Sequence, residues 1–245
     1  MRGVYSFAGI PVEINSIYER VHNICADYRT EQPHEVSVST TEESIRYEEK
    51  AYIKEMLYEG ITPEKLPDDY LELSAVYRKI ADAFIPKNIL LMHGSAIAVD
   101  GEAYIFTAAS GTGKSTHAGL WRKVFGGRAV MINDDKPLLR IEPGGVIACG
   151  TPWDGKHRRS TNIMLPLRSI CILERGETNS IKEISFEEAY PMLLQQTNRP
   201  ADKALMIQTL GLMEKMRQHV KIYKLKCNQE PEAAIVSYNG MKKGE

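Results

Sequence analysis

The sequence predicts an α/β fold that follows a small N-terminal α+β region. From residue 89 onward, apolar runs of strand length alternate with longer apolar patterns of helical spacing. Asp100-Gly101, a pair favoured in type I′ hairpin turns, joins two of the predicted strands. A glycine-containing turn then connects the second of these strands to a helical pattern, so an antiparallel hairpin should lead directly into that turn.

Length and composition are those of an ordinary globular protein. The 245 residues suffice for one large domain, or for a standard domain with a smaller partner. Hydrophobic residues make up 43% and charged residues 26%, which favours a compact core over disorder. The helical pattern of residues 68–84 is stopped by Pro86, and we therefore divide the chain into residues 1–88 and 89–245.

Charge and hydropathy argue against several classes of partner. A formal net charge of −1 lacks the basic footprint that nucleic-acid binding requires. No run of 18 apolar residues and no signal-peptide pattern occurs, so we expect a cytoplasmic protein without a membrane partner. The four cysteines form no C-x-x-C pair, which predicts reduced and mostly buried thiols.

Apolar periodicity assigns the elements in order. In the N-terminal region we expect strands around residues 12–14 and 36–38, a helix over 16–28, solvated helix and loop over 40–64, and a helix over 68–84. The expected strands of the second region are 89–92, 97–99, 103–107, 129–132, 137–141, 146–148, 169–174, 181–184 and 220–225. Its expected helices run from the glycine-containing turn to about residue 125, and over 186–195, 202–218 and 232–238.

The glycine loop, residues 110–116, has the composition of a phosphate-binding loop. It consists of Ser110, Gly111, Thr112, Gly113, Lys114, Ser115 and Thr116. Its glycines let backbone N–H groups approach a triphosphate at the positive end of the following helix. Lys114 would supply charge to the β and γ phosphates of ATP, and Ser115, with Thr116 as a second candidate, would hold Mg²⁺. Ala108 stands where the general pattern has its first glycine, and a chance glycine-rich turn is the alternative.

An acid pair, Asp134-Asp135, ends the apolar strand that follows. One carboxylate could orient Mg²⁺ while the other accepts the proton of an attacking hydroxyl. The repulsion between adjacent carboxylates should also raise one of the two pKa values. The alternative is a simple turn between strands. The presence of the glycine loop in the same sequence makes this alternative less favoured.

His93 lies at the end of the strand that precedes the hairpin. A lone histidine is usually a hydrogen-bonded packing residue. The hairpin would nevertheless bring this strand beside the one that feeds the glycine loop, so we expect His93 near the γ-phosphate.

Over residues 90–141, roughly a fifth of the 245 residues, the sequence resembles the catalytic domain of HPr kinase/phosphorylase and, more loosely, phosphoenolpyruvate carboxykinase. The shared motifs are His93-Gly94, the run SGTGKS at 110–115, and Asp134-Asp135. The resemblance implies a mixed sheet that carries a P-loop, which agrees with the predicted hairpin.

The resemblance also implies roles for these residues. Lys114 and Ser115 would contact phosphates and Mg²⁺, one aspartate would be the base for the acceptor hydroxyl, and His93 would lie beside it. Apart from the resemblance, we take Ser115 and Asp135 as the candidate metal ligands. The first 88 residues do not resemble the N-terminal domain of the HPr enzyme, and the chain is too short for a carboxykinase. The overall pattern is most similar to HPr-kinase-like bacterial proteins, some of which phosphorylate peptide serines.

A basic loop over residues 150–162 follows the strands after the acid pair. It contains Lys156, His157, Arg158 and Arg159. Arg158 and Arg159 could neutralise charge on a transferring phosphoryl group or could grip an acidic acceptor, and a solvated loop is the third reading.

These observations predict a kinase that uses ATP and Mg²⁺ to phosphorylate a hydroxyl, most simply a serine of a small protein or peptide. A small-molecule hydroxyl is the nearest variant. The rival from another class is a protein that senses ATP without transferring a phosphoryl group, which would need the loop but no base. The sequence leaves open the acceptor, the choice of base between Asp134 and Asp135, and whether the chain forms a homo-oligomer.

Overall fold

A computed structural model of the protein describes residues 1–58, 60–155 and 158–242. It divides into two units, Met1–Ala83 and a larger one from Phe84 onward. Within the described ranges, no helix combines the length and the apolar character needed to cross a membrane.

The N-terminal unit is built on a three-stranded sheet. Strands β1 (Arg2–Phe7) and β2 (Ile10–Asn15) are antiparallel, and β3 (Val36–Ser39) pairs parallel to β2. Its helices are α1 (Arg20–Ile24), which continues after Cys25 into a 3-10 turn (Ala26–Tyr28), α2 (Glu42–Tyr58) and α3 (Asp68–Phe84).

The predicted helix over residues 16–28 is wrong in its extent, and side-chain hydrogen bonds hold the residues that precede the observed helix. The Glu72 carboxylate is fully buried and accepts the backbone N–H groups of Ile17 at 2.7 Å and Tyr18 at 2.9 Å. It also accepts the hydroxyl of Thr40. Ser16 Oγ donates to the carbonyl of Tyr18 at 2.9 Å, a local side-chain bond that competes with helical geometry, and the helix begins only at Arg20.

The larger unit contains a nine-stranded mixed sheet. The strands are β4 (Ile89–Leu91), β5 (Ser95–Val99), β6 (Glu102–Thr107), β7 (Ala129–Asn133), β8 (Leu138–Glu142), β9 (Gly145–Cys149), β10 (Met164–Arg175), β11 (Ser180–Ile184) and β12 (Lys221–Cys227). Seven lie in the order β4-β8-β9-β10-β6-β5-β7. In addition, β12 pairs with β10, and β11 pairs with β12. The predicted α/β fold with a mixed sheet is confirmed at this level.

The predicted hairpin is present. β5 and β6 pair antiparallel, and Asp100 and Gly101 between them have φ values of 55° and 84°. Positive φ at both central residues is what a type I′ turn requires. The hairpin delivers β6 directly into the glycine loop.

In the described part of the larger unit, the sheet is flanked by the helices α4 (Lys114–Phe125), α5 (Phe186–Gln196), α6 (Lys203–Arg217) and α7 (Glu232–Lys242). Alternate residues of β5 and β6 belong to two different cores, one lined by α5 and α6 and the other by α4 and α7. This alternation follows from the two-residue period of a strand with both faces covered. The four cysteines are free thiols, three of them buried, as predicted.

Strand direction determines where the functional loops lie. β6 and β7 both run antiparallel to β5, which lies between them. Their carboxyl ends, Thr107 and Asn133, therefore reach the same edge of the sheet, two strand spacings or about 10 Å apart. β10 runs parallel to β6, so Arg175 at its end reaches this edge as well.

His117 is a buried histidine in the first turns of α4. Its Nε2 lies 3.1 Å from Ser237 Oγ, and its ring packs edge-on against Phe106 with centroids 4.5 Å apart. Nδ1 is buried and has no hydrogen-bond partner among the described residues. Burial lowers the pKa of His117 to about 4, so the imidazole is neutral near neutral pH.

We expect His117 to make the fold acid-sensitive. The unfolded chain binds a proton near pH 6.5 and the folded chain only near pH 4, so the free energy of unfolding falls as pH drops through this window. The loss should total about 3 kcal/mol. Denaturant unfolding between pH 4 and 7 should show His117→Gln losing much of this slope, with exposed His219→Gln as the matched control. An unchanged slope in His117→Gln would contradict this assignment.

Candidate active site

The glycine loop leaves β6 at the shared sheet edge and enters α4 at Lys114. Gly111 and Gly113 have φ values of 72° and 118°, a region that residues with a Cβ rarely occupy. Ser110, Gly111, Ser115 and Thr116 are exposed, and Thr112, Gly113 and Lys114 are partly buried. The N–H groups of the first turn of α4 thus lie beside a loop that is accessible to an anion.

Ala108 causes no conformational conflict at the start of this loop. It is buried and is not among the residues with positive φ, so the backbone there does not require glycine. Its carbonyl accepts a hydrogen bond from Lys114 Nζ at 3.1 Å. Burial lowers the pKa of Lys114, and the charge of Asp135 partly opposes that effect. Lys114 and the acid pair therefore share one electrostatic environment.

The acid pair lies in a turn over residues 133–136, which we call the acid turn. Asp134 Oδ1 accepts a hydrogen bond from the buried hydroxyl of Ser95 at 2.7 Å. Asp135 Oδ1 lies 3.2 Å from His93 Nε2 and 3.2 Å from Lys136 Nζ. The two carboxylates thus have different environments, since one meets a neutral hydroxyl and the other meets an imidazole and an ammonium group.

The pKa of Asp135 does not follow the expectation of a raised carboxyl pKa. Burial by itself would raise it, but the hydrogen bond with His93 and the charge of Lys136 outweigh burial, and the pKa is lowered. Repulsion from a neighbouring carboxylate is therefore not the dominant influence on Asp135. This carboxylate is held in its ionised form.

His93 is positioned by backbone contacts around it. Its N–H donates to Gln196 O at 2.7 Å, and its carbonyl accepts the Thr107 hydroxyl at 2.9 Å. Gly94 donates to Asp135 O at 3.0 Å, and a Cβ on Gly94 would lie 3.0 Å from Phe106 O. Glycine thus allows the chain to pass close to β6 while His93 faces the acid turn.

The base of the basic loop lies against the acid turn. A Cβ on Gly155, whose φ is 72°, would lie 3.4 Å from Asp135 Cβ. Arg158 and Arg159 are exposed, and Arg158 has a positive φ of 44°. Lys156 and His157 lie outside the described residues. The charge of Arg158 acts on Asp154, whose pKa is raised mainly by burial.

Sequence reasoning missed four residues at this edge: Ser95, Asn133, Lys136 and Arg175. Lys136 directly follows the acid pair and could have been noticed from that position alone. Ser95 and Arg175 depend on strand register, which pairs Ser95 with Phe106 and brings Arg175 past the end of β6. No local motif marks either residue.

Arg175 binds the outer side of the glycine loop. Its Nη2 donates to the carbonyl of Gly111, and its Nε lies 3.4 Å from the carbonyl of Thr112. These bonds restrain the backbone of the loop at two consecutive carbonyls.

Among the described residues, no three His, Cys, Asp or Glu side chains come together as a metal site. The candidate Mg²⁺ ligands Ser115 and Asp135 would thus need additional oxygens from a substrate or from water.

No protein-family model matches the chain. No curated protein matches it at a significant level. The solved structures that are similar to it include the Hpr(Ser) kinase/phosphatase from Coxiella burnetii, with a TM-score of 0.39 and 11% identity over 62% of this chain and 97% of the other. This degree of similarity supports no conclusion about the activity of the present chain.

We expect Arg175→Ala to loosen the glycine loop while leaving the fold intact. Loss of its bonds to the carbonyls of Gly111 and Thr112 should cost about 1 kcal/mol locally, which accelerates amide exchange over the loop by roughly fivefold. Exchange measured by mass spectrometry should show this change over residues 109–114. Arg122→Ala, which removes an exposed arginine from the last turn of α4, is the control. Equal amide-exchange rates over residues 109–114 in Arg175→Ala and Arg122→Ala would mean that Arg175 does not hold the loop.

Proposed function

We propose that this chain is a kinase that uses ATP and Mg²⁺ to transfer the γ-phosphoryl group to a hydroxyl, with a serine of a small protein or peptide as the acceptor. The proposal rests on one observation. Lys114 and the Asp134-Asp135 pair lie at the same sheet edge, at the carboxyl ends of β6 and β7, and interact electrostatically. A phosphate-binding charge and a proton acceptor are the two groups that phosphoryl transfer to a hydroxyl requires.

The glycine loop would hold the triphosphate of ATP. Its backbone N–H groups and those of the first turn of α4 would donate to phosphate oxygens, and the helix dipole would favour their negative charge. Lys114 would exchange its bond to the Ala108 carbonyl for the β and γ phosphate oxygens. The loop is accessible for this purpose because Ser110 and Gly111 are exposed.

Ser115 and Asp135 would hold Mg²⁺ together with phosphate oxygens and water. Hydroxyl and carboxylate oxygens are the protein ligands that Mg²⁺ prefers, and one or two carboxylates suffice when a substrate supplies phosphates. When bound, the ion would neutralise charge on the phosphates. The lowered pKa of Asp135 fits this role, because a ligand must be ionised.

Asp134 is then the better candidate for the base. Its carboxylate would accept the proton of the acceptor hydroxyl as that oxygen bonds to the γ-phosphorus and the bond to the ADP leaving group breaks. The Ser95 hydroxyl fixes the carboxylate through Oδ1. His93 would position Asp135 beside it, and Arg158 and Arg159 would approach from the basic loop, either toward the phosphoryl group or toward an acidic acceptor.

Incubation with γ-labelled ATP and a cell extract from the source organism tests the proposal. We expect label on a serine of a protein or peptide that is not labelled when the extract is incubated alone or with the Lys114→Ala variant. Label on a small molecule would support the small-molecule variant of the kinase instead. Saturable ATP binding without labelled acceptor in any fraction would favour the ATP-sensing protein.

We expect Lys114→Ala to abolish ATP turnover without unfolding the chain. The remaining loop amides can still contact phosphate, but the charge that spans the β and γ oxygens is lost. Turnover assays on the purified variant and on Lys123→Ala, an exposed lysine of the same helix, provide the comparison. Wild-type turnover in Lys114→Ala would remove this loop from the active site.

Substitutions in the acid pair should separate binding from chemistry. With Mg²⁺ present, Asp134→Asn and Asp135→Asn should each keep ATP affinity within about tenfold, or roughly 1.4 kcal/mol. Transfer should fall by about 10² or more in Asp134→Asn, because the amide cannot accept the proton. Equilibrium binding and single-turnover transfer measure the two effects. Undiminished transfer in both variants would reduce the acid pair to a structural turn.

A further inference from the structure

Asn133 uses both ends of a fully buried side chain at the end of β7. Its Oδ1 accepts the backbone N–H groups of Asp135 at 2.8 Å and Lys136 at 2.6 Å. Its Nδ2 contacts Thr151 O and Thr151 Oγ1, both at 2.9 Å, and Trp153 O at 3.3 Å. An asparagine amide has two N–H donors and one oxygen with two lone pairs, so its hydrogen-bonding capacity is fully used.

Thr151 completes the connection from the other side. Its side chain is fully buried, and its hydroxyl donates to Lys136 O at 2.8 Å. The acid turn is therefore fixed at the N–H groups of Asp135 and Lys136 and at the carbonyl of Lys136. All of these bonds involve one of two buried side chains.

The segment over residues 150–155, which we call the crossing segment, packs closely against the end of β7 at Gly150 and against Asp135 at Gly155. A Cβ on Gly150 would lie 2.0 Å from Thr161 O and 3.0 Å from Ile132 O. Thr161 donates its N–H to Ile132 O at 3.1 Å, which closes the base of the basic loop onto β7. Both ends of the basic loop are thereby anchored beside Asn133.

We propose that Asn133 is a positioning residue that, with Thr151, latches the crossing segment to the acid turn. The latch joins the crossing segment to the backbone of the acid turn. This inference rests on the proposed kinase activity, in which the latch would hold the acid turn in a fixed position relative to the bound phosphates.

The chemistry of the contacts explains why an asparagine is needed. In the Asn133→Asp variant, the new carboxylate would still accept the two N–H groups of the acid turn, but its second oxygen would face the carbonyls of Thr151 and Trp153. The substitution therefore breaks the hydrogen bonds to the crossing segment and preserves those to the acid turn. Thr151→Val removes the hydroxyl at nearly constant volume, whereas Thr151→Ser keeps it.

Trp153 provides a readout that does not depend on catalysis. The chain has two tryptophans, and both are buried in the wild type. We expect Asn133→Asp and Thr151→Val to shift the emission to longer wavelength and to raise acrylamide quenching about twofold or more. Thr151→Ser should match the wild type, and in a Trp153→Phe background the shift should disappear. Unchanged quenching in both Asn133→Asp and Thr151→Val would overturn the latch.

Steady-state transfer then tests positioning. In Thr151→Val, kcat should fall about tenfold or more while the KM for ATP stays within about threefold, because the glycine loop is untouched. Thr151→Ser should recover most of kcat. An unchanged kcat with increased quenching would mean that the latch is structural only. If the wild type transfers no phosphoryl group, the proposed function and the positioning role fail together, while quenching still decides whether the latch exists.

Discussion

The shared direction of β6 and β7 on either side of β5 is the constraint on which the candidate site depends. It brings two chain segments that are distant in sequence, the glycine loop and the acid turn, to one edge of the sheet. The hairpin at Asp100-Gly101 makes this possible, because it reverses the chain so that β5 starts at the edge where β6 ends. The antiparallel start of β5 then places Ser95 beside Asp134.

Electrostatics divides the site into two parts. His93 and Lys136 contact Asp135 and lower its pKa against the effect of burial, whereas Asp134 accepts a hydrogen bond from the neutral hydroxyl of Ser95. Neighbouring carboxylates with different partners can take different roles without a large change in fold. The buried amide of Asn133 holds the backbone N–H groups of Asp135 and Lys136, so the geometry of the acid turn does not depend on the charged groups alone.

Much of this arrangement could be predicted from local sequence. In the larger unit, the order of the strands and helices, the hairpin turn and the composition of the glycine loop follow from apolar periodicity and from residues with specific backbone preferences, whereas strand β1 was not predicted. The partners of the acid pair could not be predicted in the same way, because Ser95 and Arg175 reach the site through strand register. The role of Asn133 could not be predicted either, because its partner Thr151 is eighteen residues away and no sequence motif connects the two. The helix predicted over residues 16–28 begins later for a local reason, since Ser16 Oγ bonds to the carbonyl of Tyr18, whereas the contact of Glu72 with this segment comes from a distant helix.

The central claim is that the glycine loop, Lys114 and the acid pair form one site for a nucleotide and its metal ion. Calorimetric titration with the β,γ-imido analogue of ATP, with and without Mg²⁺, tests it most directly. We predict one binding equivalent, and an affinity that Mg²⁺ strengthens by about fivefold to tenfold in the wild type but by less than about twofold in Asp135→Asn. Equal affinity for the analogue and for AMP, or an equal Mg²⁺ effect in wild type and Asp135→Asn, would contradict the claim.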